Sequence, residues 1–157
     1  PCAQNSEWTA AASNGMTYTG AEVTAEGFQI YGLPPYQYYS AGIACYVSGH
    51  NWMQDNHDNW NNSMDLAGIT NGGIIGFKYF DFDDVQKVTL MVRGYGWGGT
   101  LHVKTSKFGP ALASMKLENT NVWTAYTAPI TLPKGKSPLY ITYEGGGAVM
   151  LYSVIFE

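Results

Sequence analysis

The sequence predicts an all-β protein of the sandwich type, because helix signals are scarce and short strand-like segments follow one another between turns. Residues 74–82 are largely apolar and aromatic, and residues 85–93 alternate apolar with polar side chains. Clusters of glycine, proline and asparagine divide such segments at intervals typical of β-sandwiches.

Further strands are predicted at 100–105, 111–118, 122–128, 139–143 and 149–156, with one or two more within 15–31. Segment 32–68 differs, because it is rich in proline, tyrosine and asparagine and only weakly periodic. We therefore expect a long loop at about 32–68. Loops of that length in compact domains are usually functional or disordered.

Size and charge limit the classes of partner. The chain has 157 residues, and we expect a single domain over 1–157. Its formal net charge is −4 and its sequence contains no basic run, which argues against nucleic acid and anionic membranes as partners. No apolar run reaches the roughly 18 residues of a transmembrane helix, so no membrane partner is expected.

The first residue and the cysteines bear on processing and on localisation respectively. The chain begins at Pro1 without an initiator methionine or a signal peptide, so we expect a processed chain or a module of something longer. Cys2 and Cys45 are the only cysteines. An even count in a chain rich in tyrosine, asparagine and glycine favours a Cys2–Cys45 disulfide in a secreted or extracellular protein, including one held at a cell surface. The alternative is two unpaired thiols.

Residues 49–65, GHNWMQDNHDNWNNSMD, combine large aromatic rings with planar polar side chains and hardly an aliphatic residue. Pyranose rings offer flat C–H faces and a rim of hydroxyls, which suit an aromatic platform surrounded by amide and carboxylate groups. We predict a carbohydrate-binding site with Trp60 as the first platform and Trp52 as the second. The predicted rim groups are Asn56, Asp58 and Asn59. Alternatively, both tryptophans anchor the loop and the asparagines set turns.

Two other aromatic groups are weaker candidates. Trp97, in the turn GYGWGG, is a third platform, because flanking glycines leave little neighbouring bulk. The alternative is a tryptophan that lies flat on the domain surface or against a companion domain. Tyr36, Tyr38 and Tyr39 form another patch, for which packing is the better interpretation.

Catalytic and metal-binding interpretations of the same stretch are not favoured. His50, Asp55, His57 and Asp58 have spacings that match no known transition-metal site. Pairs among Asp55, Asp58 and Asp65 have the chemistry of glycosidase carboxylates, but nothing else in the sequence builds a cleft with a raised-pKa acid. P-loop, paired CxxC, HExxH and GxSxG motifs are absent. The chain is therefore not expected to be an enzyme.

Four segments resemble carbohydrate-binding module family 6, and most closely the copies that follow family 43 glycoside hydrolase domains. They are TNGGIIGFKYFDF (70–82), VTLMVRGYGWGGTLHV (88–103), VWTAYTAPITLPKGKSPLYITYEG (122–145) and GAVMLYSVIFE (147–157). Together they extend over Thr70 to Glu157, rather more than half of the chain. The resemblance implies a jelly-roll β-sandwich of two antiparallel sheets, of the galactose-binding-like type.

The resemblance does not supply the usual binding residues. Family 6 modules commonly clamp a sugar between two aromatic residues with help from an asparagine. These positions fall near Gly68, near Thr120, and near Leu151 or Tyr152, so none is matched. Either the cleft is lost, or segment 49–65 refills it with Trp52 and Trp60. Trp123 corresponds to a tryptophan that packs in the core.

The resemblance also bears on cofactors. Such modules often hold a structural calcium ion through acids of the first strand and an aspartate near the C-terminus. Glu22, within GAEVTAEG (20–27), fits the first position, whereas Ser153 or Val154 stands at the second. Glu22 is therefore the candidate ligand if a structural calcium ion binds, and we expect no required cofactor.

These observations lead to one main functional hypothesis. The chain would be a non-catalytic carbohydrate-binding module that targets an attached glycoside hydrolase to plant cell-wall polysaccharide, a β-linked chain such as xylan or β-glucan. Its partners would be polysaccharide or oligosaccharide and the other domains of a longer multi-domain glycoside hydrolase. The alternative is a structural accessory β-sandwich that packs on a catalytic domain without binding glycan.

Overall fold

The computed structural model describes residues 32–49, 52–55, 64–95 and 98–157, together with the short segments 9–11, 17–19, 22–24 and 27–29. Within these residues the regular structure is strand, apart from one 3₁₀ turn at Ala41–Ile43. The expected all-β fold of two antiparallel sheets is thus confirmed. No helix among the described residues is long and apolar enough to cross a membrane.

The two sheets use most of the strands. In chain order the strands are β1 (Thr9–Ala11), β2 (Thr17–Thr19), β3 (Glu22–Thr24), β4 (Gly27–Gln29), β5 (Tyr39–Ser40), β6 (Tyr46–Ser48), β7 (Trp52–Asp55), β8 (Met64–Ile69), β9 (Ile74–Phe82), β10 (Lys87–Tyr95), β11 (Gly99–Lys104), β12 (Ala113–Leu117), β13 (Thr124–Pro129), β14 (Gly135–Gly145) and β15 (Ala148–Phe156). The six-stranded sheet has the order β13-β10-β15-β8-β7, with β5 also on β15. The five-stranded sheet has the order β12-β11-β14-β9-β6. Strands β1 and β2 form one separate ribbon, and β3 and β4 form another.

Period-two alternation explains why these residues form half-buried strands. In β12, for example, Ala113, Met115 and Leu117 are buried, whereas the residues between them are exposed. An aromatic cluster joins the two sheets, because the Phe80 ring of β9 lies 5.3 Å from the Phe156 ring of β15. Both rings are almost fully buried, so the core lies between the sheets.

Segment 32–68 is more regular than the expected long loop. It contains β5, the 3₁₀ turn, β6, β7 and β8. Strand β6 pairs with residues 74–76 of β9, and β7 pairs with β8. The sequence pattern hides these strands because they are short and because β6 and β7 lie at sheet edges, where one strand side lacks a partner and polar residues are tolerated. Strands β9 to β15 confirm the predicted segments, with bounds shifted by a few residues. Residues 15–31 hold three short strands rather than one or two, and β1 lies before any predicted segment.

Candidate functional site

A groove lies on the outer face of the five-stranded sheet, the face turned away from the core. Its volume is about 680 Å³. Strands β9, β11 and β14 form its floor, and the loop between β11 and β12, residues 105–112, forms one wall. The lining side chains include Asn71, Ile74, His102, Lys104, Phe108 and Glu144.

A row of four residues crosses the outer face next to this groove. Lys104, Tyr140, Gly76 and Tyr46 are neighbours in register on β11, β14, β9 and β6. A Cβ atom at Gly76 would lie 3.0 Å from both Tyr140 Cε1 and Tyr46 Cβ. The glycine therefore allows the two tyrosines to lie close together across the sheet. Tyr140 is buried in this arrangement.

The loop 105–112 extends back over the sheet, and we call it the overhanging loop. Its Lys107 Nζ lies 3.8 Å from the centroid of the Tyr46 ring and 5.4 Å from that of Phe108. Tyr46 lies three strands away from β11, a distance of about 14 Å at the usual strand spacing. The hydrogen bond and the charge of Lys107 lower the pKa of the Tyr46 hydroxyl. Lys107 therefore holds the loop against the far edge of the sheet through a cation–π contact.

Polar groups lie at the opposite end of the groove. His102 Nδ1 lies 2.8 Å from Ser114 Oγ, and its Nε2 lies 3.5 Å from Glu144 Oε2. The Glu144 side chain remains 81% exposed. The Gly145 amide donates to Asn71 Oδ1 at 3.1 Å, which fixes the turn that leads into β9. Imidazole, carboxylate and amide groups of this kind suit the vicinal hydroxyls of a sugar.

Phe108 is the most exposed large apolar side chain in the part of the chain that the structure describes, at 85%. It lies on the overhanging loop beside the groove. The Gly109 amide donates to the Ser106 carbonyl oxygen at 3.1 Å, so the ring is presented on a tight turn. An exposed ring next to polar groups provides the apolar platform that a pyranose face requires.

Most of the predicted platform residues lie outside the residues that the structure describes. The backbone of Trp52 begins β7 and pairs with Ala67, one residue before Gly68, where the first platform of the resemblance falls. The other predicted residues are outside the described part of the chain: Trp60, Trp97, Asn56, Asp58 and Asn59. The structure therefore places Trp52 by its backbone and leaves the predicted site as a prediction. Likewise Cys2 is outside the described residues, whereas Cys45 Sγ lies 3.5 Å from the Gly76 carbonyl oxygen.

Trp123 does not pack in the core, contrary to expectation. It is half-buried on the outer face of the six-stranded sheet, with its ring 5.5 Å from that of Tyr152 and 6.0 Å from the Arg93 guanidinium. It immediately precedes β13, and Tyr152 is an extra residue at an irregularity between β10 and β15. The bulge turns the tyrosine toward Trp123, which gives the indole a partner outside the core.

The tyrosines of segment 36–39 have three different environments. The Tyr39 ring packs 5.1 Å from Phe80, in agreement with the packing interpretation. Tyr38 is half-exposed, and its ring lies edge-on to Tyr152 at 6.0 Å. Burial and the Tyr152 hydrogen bond raise the pKa of Tyr38. Tyr36 is also half-exposed, and its hydroxyl donates to the Asp83 carbonyl oxygen.

The described residues contain no cluster of ligands for the expected structural calcium ion. Glu22 lies on β3, where it pairs with Gln29. Ser153 is buried and Val154 belongs to the core, so neither supplies a carboxylate at the C-terminal position. No group of three or more histidine, cysteine, aspartate or glutamate residues is arranged for a metal within the ranges that the structure describes.

No protein-family model matches the chain. A xylosidase/arabinosidase from Thermoclostridium stercorarium is 38% identical over 100 residues, which are 64% of this chain and 21% of that protein. The chain thus spans about a fifth of the length of this relative.

Solved structures share the fold at low sequence identity. A β-1,3-glucan-binding family 6 module from Bacillus halodurans has a TM-score of 0.73 at 18% identity, covering 81% of this chain and 99% of that one. A family 43 arabinoxylan arabinofuranohydrolase from Bacillus subtilis, in complex with cellotetraose, has a TM-score of 0.72 at 18% identity, covering 94% of this chain and 32% of that one. A family 36 module in complex with calcium and xylotriose has a TM-score of 0.59 at 9% identity, covering 77% of this chain and 99% of that one. The chain therefore has the β-sandwich fold of family 6 carbohydrate-binding modules, as the resemblance predicted.

Proposed function

We propose that residues 1–157 form one non-catalytic carbohydrate-binding module, which holds an attached glycoside hydrolase on plant cell-wall polysaccharide such as xylan or β-glucan. The observation that carries this proposal is the exposed Phe108 ring beside a groove with polar groups at its other end. One sugar unit can stack on the ring while the hydroxyls of a neighbouring unit meet His102, Glu144 and Asn71.

The relatives support both the ligand class and the attachment. One structural relative is a β-1,3-glucan binder, and another is a family 43 hydrolase in complex with cellotetraose. The chain matches 32% of that hydrolase and 21% of the xylosidase/arabinosidase. A module within a longer secreted or extracellular hydrolase is consistent with both fractions.

Binding without catalysis fits the carboxylates of the groove. Glu144 is the one carboxylate among the lining residues that the structure describes. Most glycoside hydrolases use a pair of carboxyl groups, roughly 5–10 Å apart, on the two sides of the scissile bond. The proposal therefore requires no catalytic residue and no cofactor. A calcium ion near Glu22 would be structural.

The sequence-predicted residues supply a second contact surface in this proposal. Trp60, Trp52 and Trp97 would act as platforms, with hydroxyl partners at Asn59, Asp58 and Asn56. The backbone position of Trp52 next to Ala67 supports this assignment, because it is adjacent to the family platform position at Gly68. Replacing each tryptophan by alanine, with unfolding midpoint and polysaccharide affinity measured together, separates a platform from a loop anchor. A platform loses affinity and an anchor loses stability.

One observation favours the alternative function, a structural β-sandwich that packs on a catalytic domain. Large apolar side chains are exposed around β5 and β8, namely Tyr36, Tyr38, Ile43 and Met64. Exposed apolar side chains on neighbouring elements are candidates for a protein interface. None of these side chains lines the groove, so the two functions are compatible within one hydrolase.

Affinity electrophoresis against soluble xylan, mixed-linkage β-glucan, β-1,3-glucan and mannan tests the proposal. We expect retardation by at least one β-linked polymer, and loss of that retardation in Phe108→Ala. Val122→Ala is a matched control, because Val122 is also an exposed apolar residue in a loop but lies outside the groove. No retardation by any polymer would favour the structural alternative, and release of reducing sugar would contradict a non-catalytic module.

A further inference from the structure

We infer that the groove selects a glycan that carries carboxylate groups, that is, a chain with uronic acid units. This inference rests on the proposed glycan binding at the same groove. It adds a chemical class of ligand that neither the neutral sugars of the relatives nor the acidic composition of the chain would suggest.

The fold concentrates positive charge on the outer face of the five-stranded sheet. The whole chain has eight lysine and arginine residues against twelve acidic residues. Five of the lysines are on or above this face, through exposed or half-exposed positions on β9, β11, β12 and β14 and through the overhanging loop: Lys78, Lys104, Lys107, Lys116 and Lys136. Among the described residues of these strands, the carboxylates on the same face are Asp81 and Glu144. The face is therefore basic within an acidic protein.

Two of these lysines line the groove itself. Lys104 and Lys107 form no ion pair with any carboxylate of the described residues. The Lys107 ammonium instead lies between the Tyr46 and Phe108 rings, at 3.8 Å and 5.4 Å from their centroids. Both charges are consequently available to an anionic ligand in the groove.

The two ends of the groove also differ in charge. Glu144 pairs with Thr100, and Tyr140 pairs with Lys104, so the acidic and basic positions are four residues apart along the strands. That separation corresponds to about 13 Å, more than the length of one pyranose unit. A carboxylated sugar is attracted to the Lys104 and Lys107 end, and a neutral neighbour can occupy the end with His102 and Glu144.

The platform lies within reach of the basic end. A sugar ring stacked on Phe108 lies close to the Lys107 ammonium, because 5.4 Å separates that ammonium from the ring centroid. The apolar contact then supplies most of the affinity, whereas the charges decide between a uronic acid and its neutral counterpart. Pairs of exposed charges contribute modestly each, so two lysines should give a preference of roughly fivefold to tenfold at low salt.

Single-stranded nucleic acid is the other anionic ligand to consider. Proteins that bind it without sequence preference stack successive bases on several aromatic rings along a basic groove. The described lining of this groove offers one exposed ring, Phe108, and a carboxylate, Glu144, at its other end. A glycan with spaced carboxylates fits this lining better than a chain with a phosphate at every unit.

The test uses one polymer in two chemical forms. Glucuronoxylan is compared with the same preparation after its carboxyl groups have been reduced to alcohols, by calorimetry at low salt and in 0.5 M sodium chloride. We expect the intact polymer to bind about fivefold more tightly or better at low salt, with the preference largely lost in high salt.

Lys104→Gln/Lys107→Gln should bind the two polymers equally. Lys87→Gln/Lys134→Gln removes the same charge outside the groove and should keep the preference, since these lysines pair with Glu157 and Asp83.

The outcomes separate this inference from the proposed function. Equal binding of both polymers by the wild type would overturn the uronic acid preference and leave glycan binding intact. Binding of neither polymer, nor of any neutral glycan of the panel, would overturn the proposed function itself. A preference that persists in Lys104→Gln/Lys107→Gln would show that other cations are responsible and would overturn the assignment to the groove. Binding of dextran sulfate or single-stranded DNA as tight as that of glucuronoxylan would contradict selection of carboxylates.

Discussion

Phe108 and Phe80 show how the same side chain serves two purposes in this chain. Phe80 is fully buried, and its ring contacts Phe82 and Phe156 at the centre of the core. Phe108 is 85% exposed on the overhanging loop, where it borders the groove. Truncating the first ring should therefore affect stability, whereas truncating the second should affect binding.

We expect Phe108→Ala to keep the free energy of unfolding within about 0.5 kcal/mol of the wild type. Its affinity for the polysaccharide that the wild type binds should fall about thirtyfold, equivalent to ~2 kcal/mol, as for a central aromatic contact. Phe80→Ala should lower the free energy of unfolding by roughly 3–5 kcal/mol. Chemical denaturation and calorimetry measure the two quantities. A similar loss of stability in both variants would mean that Phe108 packs against the domain rather than against sugar.

At the scale of elements, the register of the β11–β12 hairpin does not depend on the overhanging loop that joins its strands. Strands β11 and β12 pair as far as Val103 and Ala113, and the Leu112 amide donates to the Val103 carbonyl oxygen at 2.8 Å. The hairpin register is thus set by the strands. The loop itself contacts the far edge of the sheet through Lys107 and Tyr46.

Replacing residues 105–111 by Asn-Gly should give a two-residue hairpin of the favoured type, because Lys104 and Leu112 would then be joined by a tight turn. We expect the far-ultraviolet circular dichroism to remain that of a β-sandwich, while polysaccharide binding is lost with Phe108 and Lys107. Lys107→Gln in the intact loop separates the two contributions, since it removes the lysine and its contact to Tyr46 but keeps the Phe108 ring. If the shortened variant bound polysaccharide with wild-type affinity, the overhanging loop would not be part of the binding site.

Strands and loops also differ in what their sequences reveal. The alternation of residues 85–93 and 100–105 is sufficient to predict β10 and β11, because each strand has one face on the core. Strands β6 and β7 were hidden within segment 32–68, since short edge strands carry little alternation. The groove was not predictable, because Tyr46, Gly76, Tyr140 and Lys104 become neighbours only through the pairing of four strands. Trp123 was misassigned because its position depends on the irregularity at Tyr152, which no periodic pattern signals.

At the scale of the whole molecule, tyrosines with raised pKa values should limit stability in alkali. Burial raises the pKa values of Tyr38, Tyr39 and Tyr143 above their ordinary value of 10.0. In the unfolded chain these hydroxyls ionise near pH 10, whereas in the folded protein they stay protonated to higher pH. The unfolded state therefore binds fewer protons above pH 10, and stability must fall as the pH rises through the raised folded values.

Denaturation midpoints measured from pH 8 to pH 12 should accordingly be constant at first and decline above about pH 10. The decline should be shallower in Tyr143→Phe, after allowance for the lost hydrogen bond to the Gly146 carbonyl oxygen at 2.7 Å. If the denaturation midpoint of Tyr143→Phe fell with pH as steeply as that of the wild type, Tyr143 would not contribute to the loss of stability. A midpoint that rises above pH 10 would contradict the direction of all three pKa shifts.

The predicted Cys2–Cys45 disulfide is also a property of the whole molecule, because it would tie the first residues to β6 and its neighbours. Closing a loop of about 44 residues should stabilise the fold by roughly 4 kcal/mol in the chain-entropy model. We expect no reactive thiol under denaturing, non-reducing conditions, and a lower unfolding temperature after reduction. Titration of two thiols per chain in the unreduced protein would exclude the bridge.

The measurement that tests glycan binding at the outer-face groove most directly is a nuclear magnetic resonance titration of the isotope-labelled chain with xylohexaose and with a glucuronic acid-substituted xylo-oligosaccharide. We expect progressive chemical-shift changes on the five-stranded sheet and the overhanging loop, at His102, Lys104, Phe108 and Glu144, with larger changes at Lys104 for the substituted oligosaccharide. Additional chemical-shift changes at Trp52 would support the predicted second binding surface. Changes confined to the outer face of the six-stranded sheet, or no changes at millimolar ligand, would contradict the groove as the binding site.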